Sequence, residues 1–420
     1  MNFYALTNCL CCKSTKLFLT LDLGRQPLAN DFRQPFAGEL ETFPLALKTC
    51  ENCWHSQLSH CVSRELIFSN YSYASGTSKT LTKYFQWFAE NLKKYYPNGA
   101  RVLDIAANDG SFVAALREAG FDAMGIDPAR NLVIGAQTKG LPVIEGYWPQ
   151  DANRLSGRFD VIVCMNVLAH VDKPFEFLNS CADFLNTDGL VLVQPSQARM
   201  FGNNEFDTCY HEHISFFNSK SISVLGEAAG LKLNSAFFTK IHGDSCVYVF
   251  TPKNGLPRSE IQDFFNAGEF AIPDDVVAYE NSIGLYDYET YIRFADKSNQ
   301  MISSLRTSID DYRKNKYNIV FVGAAAKAMT VINYAIIKPD VFLDEAPLKI
   351  GRVAPGTDLL IGALSDIKSL NGPAFVVITA WNFKDELLRK LVSLGIPRDS
   401  VYYCYFPNEE IRRFDTIIGY

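Results

Sequence analysis

Tyr210-His211-Glu212-His213 sets a phenol, two imidazoles and a carboxylate in four consecutive residues. A carboxylate beside an imidazole raises its basicity. A histidine that is basic near neutral pH suits removal of a proton next to a carbonyl. The metalloprotease spacing H-E-x-x-H is absent, because His211 and His213 stand only two apart. Metal chelation and a purely structural cluster are the other readings of this run. A second chemical signal lies near the N-terminus, where Cys9-x2-Cys12 and Cys50-x2-Cys53 form two knuckles. Each knuckle aims two thiolates at one centre, and the pair makes a tetrahedral four-thiolate zinc site. Four thiolates leave no open position, so the expected zinc is structural. Cys11, His55 and His60 are weaker ligand candidates, and reduced free thiols are the plainer alternative.

The elements that must position these groups are legible around residues 101 to 130. Val102 to Ile105 is a short aliphatic run that reads as a buried strand. Ala106 to Gly110 is a turn of small and polar residues. Phe112, Val113, Leu116 and Ala119 then recur at helical spacing until Gly120 stops the helix. Ala123 to Ile126 is a second strand with Asp127 at its C-terminal end. Such a βαβ unit binds its ligand over the strand ends, and the terminal acid can accept hydrogen bonds from ribose hydroxyls. A dinucleotide site would carry G-x-G-x-x-G to cradle a pyrophosphate. This turn instead carries Asp104, Asp109 and one glycine, Gly110. Carboxylates repel a pyrophosphate and suit a ligand with sulfonium and ammonium charges, S-adenosylmethionine. The stretch resembles motif I of class I methyltransferases, with Ala106 where the first glycine is common.

Further along, Val143 to Glu145, Phe159 to Cys164 and Leu190 to Val193 read as the next strands. Asn166 to Pro174 follows the fourth, which places His170 near a strand end. Before the core, Asn70 to Ser78 is a loop rich in tyrosine and hydroxyl groups. Tyr71 and Tyr73 are candidates to close over the ligand, or else packing residues. It leads into an amphipathic helix over Thr80 to Tyr95, with Leu81, Tyr84, Phe85, Phe88 and Leu92 on one face and Ser78 or Thr80 as its cap. Residues 256 to 316 read as mostly helical. Asn318 to Gly323 opens a second α/β unit, which continues through Ala324-Ala325-Ala326-Lys327 to Val341-Phe342-Leu343-Asp344. Lys327, at a helix start, can meet a phosphate together with the amides there, or lie as a solvated surface lysine.

The chain has 420 residues, 48% hydrophobic and 20% charged, which suits two or three ordinary globular domains. A net charge of −6 argues against nucleic-acid and anionic-membrane partners. No apolar run is long enough to span a bilayer. Met1-Asn2-Phe3-Tyr4 shows no basic and apolar leader, so a cytoplasmic protein is expected. The eleven cysteines then point to metal or incidental thiols rather than disulfides.

The order of motifs is two C-x-x-C knuckles, a Tyr-rich Ser-Gly-x-Ser loop, Asp-Ile-x-x-Asn-Asp-Gly, Asn-Val-x-Ala-His, Tyr-x-Glu-His, His-Gly-x-Ser and Gly-Ala-x-Ala-Lys. Over essentially the whole chain this resembles the sugar C-methyltransferases that act on nucleotide-linked 4-keto deoxysugars, the tetronitrose C-3′-methyltransferase type. The resemblance implies an α/β architecture with a class I methyltransferase Rossmann-like core. A small N-terminal zinc-binding module would span 1–70, the methyltransferase domain 71–255 and a second Rossmann-like domain 256–420. It implies methylation at C-3 of a nucleoside-diphosphate-linked 4-keto-6-deoxy sugar through an enolate. His213 would be the base, oriented or polarised by Glu212, with Tyr210 near the oxyanion or the sugar. His170 would be an acid or a donor to the C-4 oxygen, and Tyr71 would help close the site. Asp104, Ala106, Asn108, Gly110, Asp127 and Asn166 would hold S-adenosylmethionine. Tyr73, His242 and Lys327 would face the substrate, and Cys9, Cys12, Cys50 and Cys53 would hold Zn2+. Either neighbouring histidine, His211 or His213, could be the working one. The expected chain is a monomer with a nucleotide-sugar substrate and no nucleic-acid or membrane partner. An O- or N-methyltransferase on a nucleotide sugar or glycan precursor is the competing enzyme, and a scaffold that keeps the same modules for binding alone is the non-catalytic alternative.

Overall fold

The computed structural model describes residues 2–35, 38, 40–68, 75–195, 199–241, 244–255 and 268–416. Tyr71, Tyr73 and His242 lie outside the described residues.

The centre of the molecule is an eight-stranded sheet. From one edge its strands are Val143–Glu145, Asp122–Asp127, Arg101–Ile105, Phe159–Met165, Leu185–Gln194, Ser245–Pro252, Leu231–Thr239 and Ala271–Asp275. The first five run parallel and the last three pair antiparallel. Phe159–Met165 is almost continuously apolar and Leu190 to Val193 is wholly so. That pattern belongs to strands covered on both faces. The strand Ala271–Asp275 lies beyond the expected boundary at residue 255 and still extends this sheet. Chain order reverses between Arg101–Ile105 and Phe159–Met165, which opens a crevice at their C-terminal ends.

The helix Lys79–Lys93 packs on this core. Ser78 caps it by accepting the Leu81 N–H, and Leu81, Tyr84, Phe85, Phe88 and Leu92 are buried along one face. Phe88 and Phe85 meet Phe112 of the helix Ser111–Glu118 at 5.6 and 5.1 Å between ring centroids. Each ring so buried stabilises the domain by about 1.5–3 kcal/mol.

The N-terminal module is a four-stranded antiparallel sheet. Leu17–Pro27, Thr42–Cys50 and Ser56–Leu58 are its own strands, and Ser215–Phe216 adds the fourth from far along the chain. The segment that carries Tyr210 to His213 is therefore stitched to the module.

The C-terminal unit is a six-stranded sheet ordered Ile361–Ala363, Val341–Asp344, Asn318–Val322, Ala374–Ile378, Val401–Cys404 and Glu410–Arg413. All strands but the last are parallel. The helical region before it resolves into Val276–Ser282 and a long helix, Tyr288–Lys314, capped by Asp287. Leu47 and Leu58 of the module, Phe206 and Cys209 of the connecting segment, and Phe321 and Met329 of the C-terminal unit share one apolar core. The sheets of the module and of the C-terminal unit are thus joined around residues 200 to 216.

Candidate active site

A cavity of about 230 Å³ lies at the reversal of strand order, among Asp104, Ala106, Asn108, Asp127, Asn166 and His170. Ala106 and Asn108 take left-handed backbone angles, φ 62° and 53°. This conformation turns the Asn108 N–H onto Asp127 Oδ2 at 2.7 Å, while Asp127 Oδ1 accepts from the Ala129 N–H at 2.7 Å. A carboxylate has lone pairs to spare beyond these two, so ribose hydroxyls remain acceptable to it. Asp104 is fully enclosed. Burial first, and then the Asp127 charge, push its carboxyl well above the usual range. A cation in the cavity reverses that balance and favours the carboxylate. Asn166 has φ 56°, and its Oδ1 is buried and without a partner. An enclosed acid and an orphaned amide oxygen in one cavity fit the ammonium and sulfonium end of S-adenosylmethionine. Phe85, Phe112, Ile126 and Phe177 supply apolar wall for its adenosine. Gly110 is not part of the wall; it sits at φ 76° before the helix Ser111–Glu118, where a Cβ would come within 2.9 Å of Leu141.

The alanine in place of a motif glycine has a measurable cost. A left-handed L-residue costs about 1–2 kcal/mol, and the greater unfolded freedom of glycine offsets about 0.4–1 kcal/mol of any relief. Ala106→Gly is expected to raise stability by roughly 0.5–1 kcal/mol in urea unfolding with donor affinity kept. A lower midpoint would mean that the alanine side chain packs better than its backbone is strained.

Asp109 does not line the cavity. Its Oδ2 accepts the Gly76 N–H at 2.9 Å and its Oδ1 accepts from Ser111 Oγ at 2.6 Å. Only one of the turn's two carboxylates, Asp104, is thus left for a cationic ligand.

The second half of the site is the segment Thr208 to His213. His213 is buried, and its Nδ1 lies 2.8 Å from the Thr208 carbonyl. A carbonyl only accepts, so Nδ1 carries the hydrogen and Nε2 holds the lone pair. The Tyr210 hydroxyl is 3.0 Å from that Nε2 and donates to it. Burial first, then the neighbouring His170 and, more weakly, Lys327, hold His213 well below the ordinary imidazole value, so it is neutral at pH 7. Glu212 was expected to orient this ring. Its carboxylate instead accepts from Asn30 Nδ2 of the N-terminal module at 2.6 Å, and the Thr208 carbonyl orients the imidazole. His170 joins the two halves. It lines the cavity, its Nδ1 donates to the Glu212 carbonyl at 2.7 Å, and its ring lies 5.1 Å from that of His213. His211 points elsewhere, toward the Phe43 carbonyl at 3.3 Å, with burial lowering it to about 4.

Lys327 stands at the domain junction. Its ammonium lies 4.2 Å above the Trp381 ring and 3.9 Å from Glu205 Oε2. Trp381 Nε1 donates to Asp207 Oδ2 at 2.8 Å, and burial raises Asp207 to about 6. Two acids of the connecting segment therefore meet a cation and an indole of the C-terminal unit beside His213.

Cys9, Cys12, Cys50 and Cys53 have their sulfurs within 4.8 Å of one another. Cys9 to Cys53 and Cys12 to Cys50 are each 3.5 Å. A Zn–S bond of about 2.3 Å gives a tetrahedron with edges near ~3.8 Å, so small adjustments seat the ion. The Cys12 and Asn52 N–H groups point at the Cys9 and Cys50 sulfurs, at 3.5 and 3.4 Å. Lys13 and Trp54, each just past a knuckle, take φ 63° and 61° to close the turns. Cys11 lies outside the four-sulfur group, and burial pushes its thiol up.

Three family models match the three parts. A zinc binding domain covers residues 9–68, a methyltransferase domain 77–236 and a C-methyltransferase C-terminal domain 271–396. The curated C-methyltransferase NovU of Streptomyces niveus is 24% identical over 380 residues, 88% of each chain. The chain is an S-adenosylmethionine-dependent methyltransferase, similar over most of its length to a C-methyltransferase. A ubiquinone biosynthesis O-methyltransferase of Caulobacter sp. strain K31 is 35% identical over 103 residues, 23% of this chain and 40% of that one. Among solved structures, a TehB-like S-adenosylmethionine-dependent methyltransferase of Corynebacterium glutamicum covers 45% of this chain and 94% of its own at 20% identity and a TM-score of 0.32.

In this methyltransferase the cavity wall comes mainly from the domain of the eight-stranded sheet, whereas the segment before His213 takes partners from the N-terminal module and the C-terminal unit. Sequence reasoning missed Asn30, Thr208, Glu205, Asp207 and Trp381. The only advance signal was the run Glu205-Phe206-Asp207, two acids around an aromatic a few residues before Tyr210. The structure also draws Arg64 of the N-terminal module to the cavity, where it pairs with Asp172 at 3.0 Å. Among the described residues no helix is long and apolar enough to cross a membrane.

Proposed function

We propose that the enzyme methylates C-3 of a nucleoside-diphosphate-linked 4-keto-6-deoxy sugar. The observation that carries this reading is the neutral, backbone-oriented His213 with Tyr210 on its basic nitrogen, joined to the donor cavity through His170. S-adenosylmethionine supplies an electrophilic methyl group. His213 Nε2 takes the proton from C-3, and the adjacent C-4 carbonyl spreads the resulting charge onto oxygen. For this step the Tyr210 O–H turns from Nε2 to that oxygen, which frees the lone pair, and donors aimed at developing charge contribute most to such steps. His170 holds the Tyr210 to His213 segment against the donor cavity through the Glu212 carbonyl. Lys327, at the domain junction, offers a positive charge to the diphosphate. Burial makes all of these interactions stronger than they would be in water.

The test is incubation with labelled methyl donor and a panel of dTDP-, GDP- and CDP-linked 4-keto-6-deoxy sugars, with the methyl located by mass spectrometry and NMR. In deuterium oxide, C-3 of the true acceptor is expected to exchange its proton. An active enzyme that places its methyl on oxygen or nitrogen, with no exchange at carbon, makes it an O- or N-methyltransferase instead.

A further inference from the structure

The chain spends two side chains of its donor turn on something other than the donor. Asn108 Oδ1 accepts the Ser75 N–H at 2.8 Å. Asp109 Oδ2 accepts the Gly76 N–H at 2.9 Å. Consecutive acceptors on the turn thus take consecutive backbone donors of the 3-10 turn Ser75–Thr77, just ahead of the helix Lys79–Lys93. The approach is close enough that a side chain at position 76 would have to displace the Ser111 hydroxyl and the Asp109 carboxylate. A Cβ there would stand 2.4 Å from Ser111 Oγ and 2.6 Å from Asp109 Oδ2. Gly76 has no left-handed φ to explain it, so what the glycine serves is this close approach. Asp109 is itself held from the other side by Ser111, whose Oγ and N–H both reach Oδ1, at 2.6 and 3.2 Å.

The docked turn reaches the cavity. Ser75 lines it beside Asn108 and Asp127. Asn108 is the link: its N–H is on Asp127, the acid placed for the ribose, and its side-chain oxygen is on Ser75. Its own left-handed backbone makes both contacts available at once. A hydrogen-bonded path therefore runs from the ribose acid through Asn108 to Ser75, with Asp109 clamping the next residue.

We propose that Asn108 and Asp109 are positioning residues that latch the Ser75–Gly76 turn to the donor cavity, so that donor binding and docking of this turn stabilise each other. The linkage is reciprocal: whatever loosens the turn weakens the donor, and the donor holds the turn. The inference rests on the donor site alone and not on the identity of the acceptor.

S-adenosylhomocysteine affinity, measured by calorimetry with no acceptor present, reads it. Asp109→Ala and Gly76→Ala are expected to raise the Kd by about tenfold or more, the size of losing a hydrogen bond to a charged carboxylate. Gly76→Ala crowds Ser111 Oγ and Asp109 Oδ2 from the turn's side, so a Ser111→Ala control, which removes only the hydroxyl's contact to Asp109 and should keep the Kd near its unsubstituted value, separates the latch from the start of the helix Ser111–Glu118. The donor KM should rise in step, while kcat at saturating donor stays within about twofold. In the unsubstituted chain, S-adenosylhomocysteine should also slow tryptic cleavage after the exposed Lys79, and this protection should be lost in both variants. Two results overturn the latch. One is wild-type affinity and protection in both folded variants; the other is a fall in kcat with the Kd unchanged.

Discussion

His213→Asn should lower turnover by about 10²–10⁴, the range that general-base groups contribute in rate, and leave S-adenosylhomocysteine binding unchanged. The asparagine amide can still donate toward the Thr208 carbonyl, so the segment keeps its anchor. It has no basic nitrogen for a proton, and the Tyr210 hydroxyl loses its acceptor. His213 is not part of the donor cavity's wall, so calorimetry with the donor product should not register the change. The pH profile adds an independent reading. Burial, His170 and Lys327 hold His213 well below 6.5, so the acidic limb of kcat/KM should lie below pH 6.5. Lys327→Met removes one of those causes and should move the limb upward. Retained turnover in His213→Asn would assign the base to another group. His170 is the nearer candidate, since His211 faces the N-terminal module.

Loss of the zinc should cost the enzyme its fold at the N-terminus and its activity together. Cys50→Ser, or prolonged treatment with a strong chelator, removes a site that in small zinc modules carries about 10–16 kcal/mol of apparent binding free energy. The consequences spread because the module is not a free appendage. Arg64 pairs with Asp172 at 3.0 Å and Tyr4 donates to the same carboxylate at 2.7 Å, beside the donor cavity. Asn30 holds Glu212, and Ser56–Leu58 pairs with Ser215–Phe216 on the far side of His213. Thermal unfolding of the chelated protein should therefore start at lower temperature, and donor affinity should fall with it. Metal analysis should return one zinc per chain, and X-ray absorption four sulfurs at about 2.3 Å. Nitrogen or oxygen in that shell, or an unaltered melting curve without metal, would remove the structural role.

The two halves of the site differ in how far they could be read in advance. The strand Arg101–Ile105, its turn, the helix Ser111–Glu118 and the acid Asp127 are local, and so are the cysteine knuckles. Apolar spacing, a stop glycine and a two-residue gap between thiols are dictated within a few residues of chain. Ser78 as a helix cap belongs to the same class. The cysteines of one knuckle say nothing of where the other lies, yet the demand of one ion for four ligands supplies that link.

The direction of a polar side chain is another matter. Glu212 stands next to His213 in the chain, but it finds Asn30, 182 residues away. Asp207 meets Trp381 across 174 residues. Asp109, read as a charge for the donor, is turned by the packing of Ser75–Thr77 onto the clamp of Gly76. Adjacent residues on an irregular segment point wherever the packed elements leave room and a partner, and those partners arrive from other domains. Composition and spacing were enough to name a methyl donor and a zinc; the greater basicity expected for a histidine beside Glu212 is reversed by burial, which holds His213 well below the ordinary imidazole value. Only the packing of the segment 200 to 216 between the module, the C-terminal unit and His170 selected which nitrogen of His213 is basic, which group orients it and what lies across from it, because each of those depends on a partner brought in by the fold.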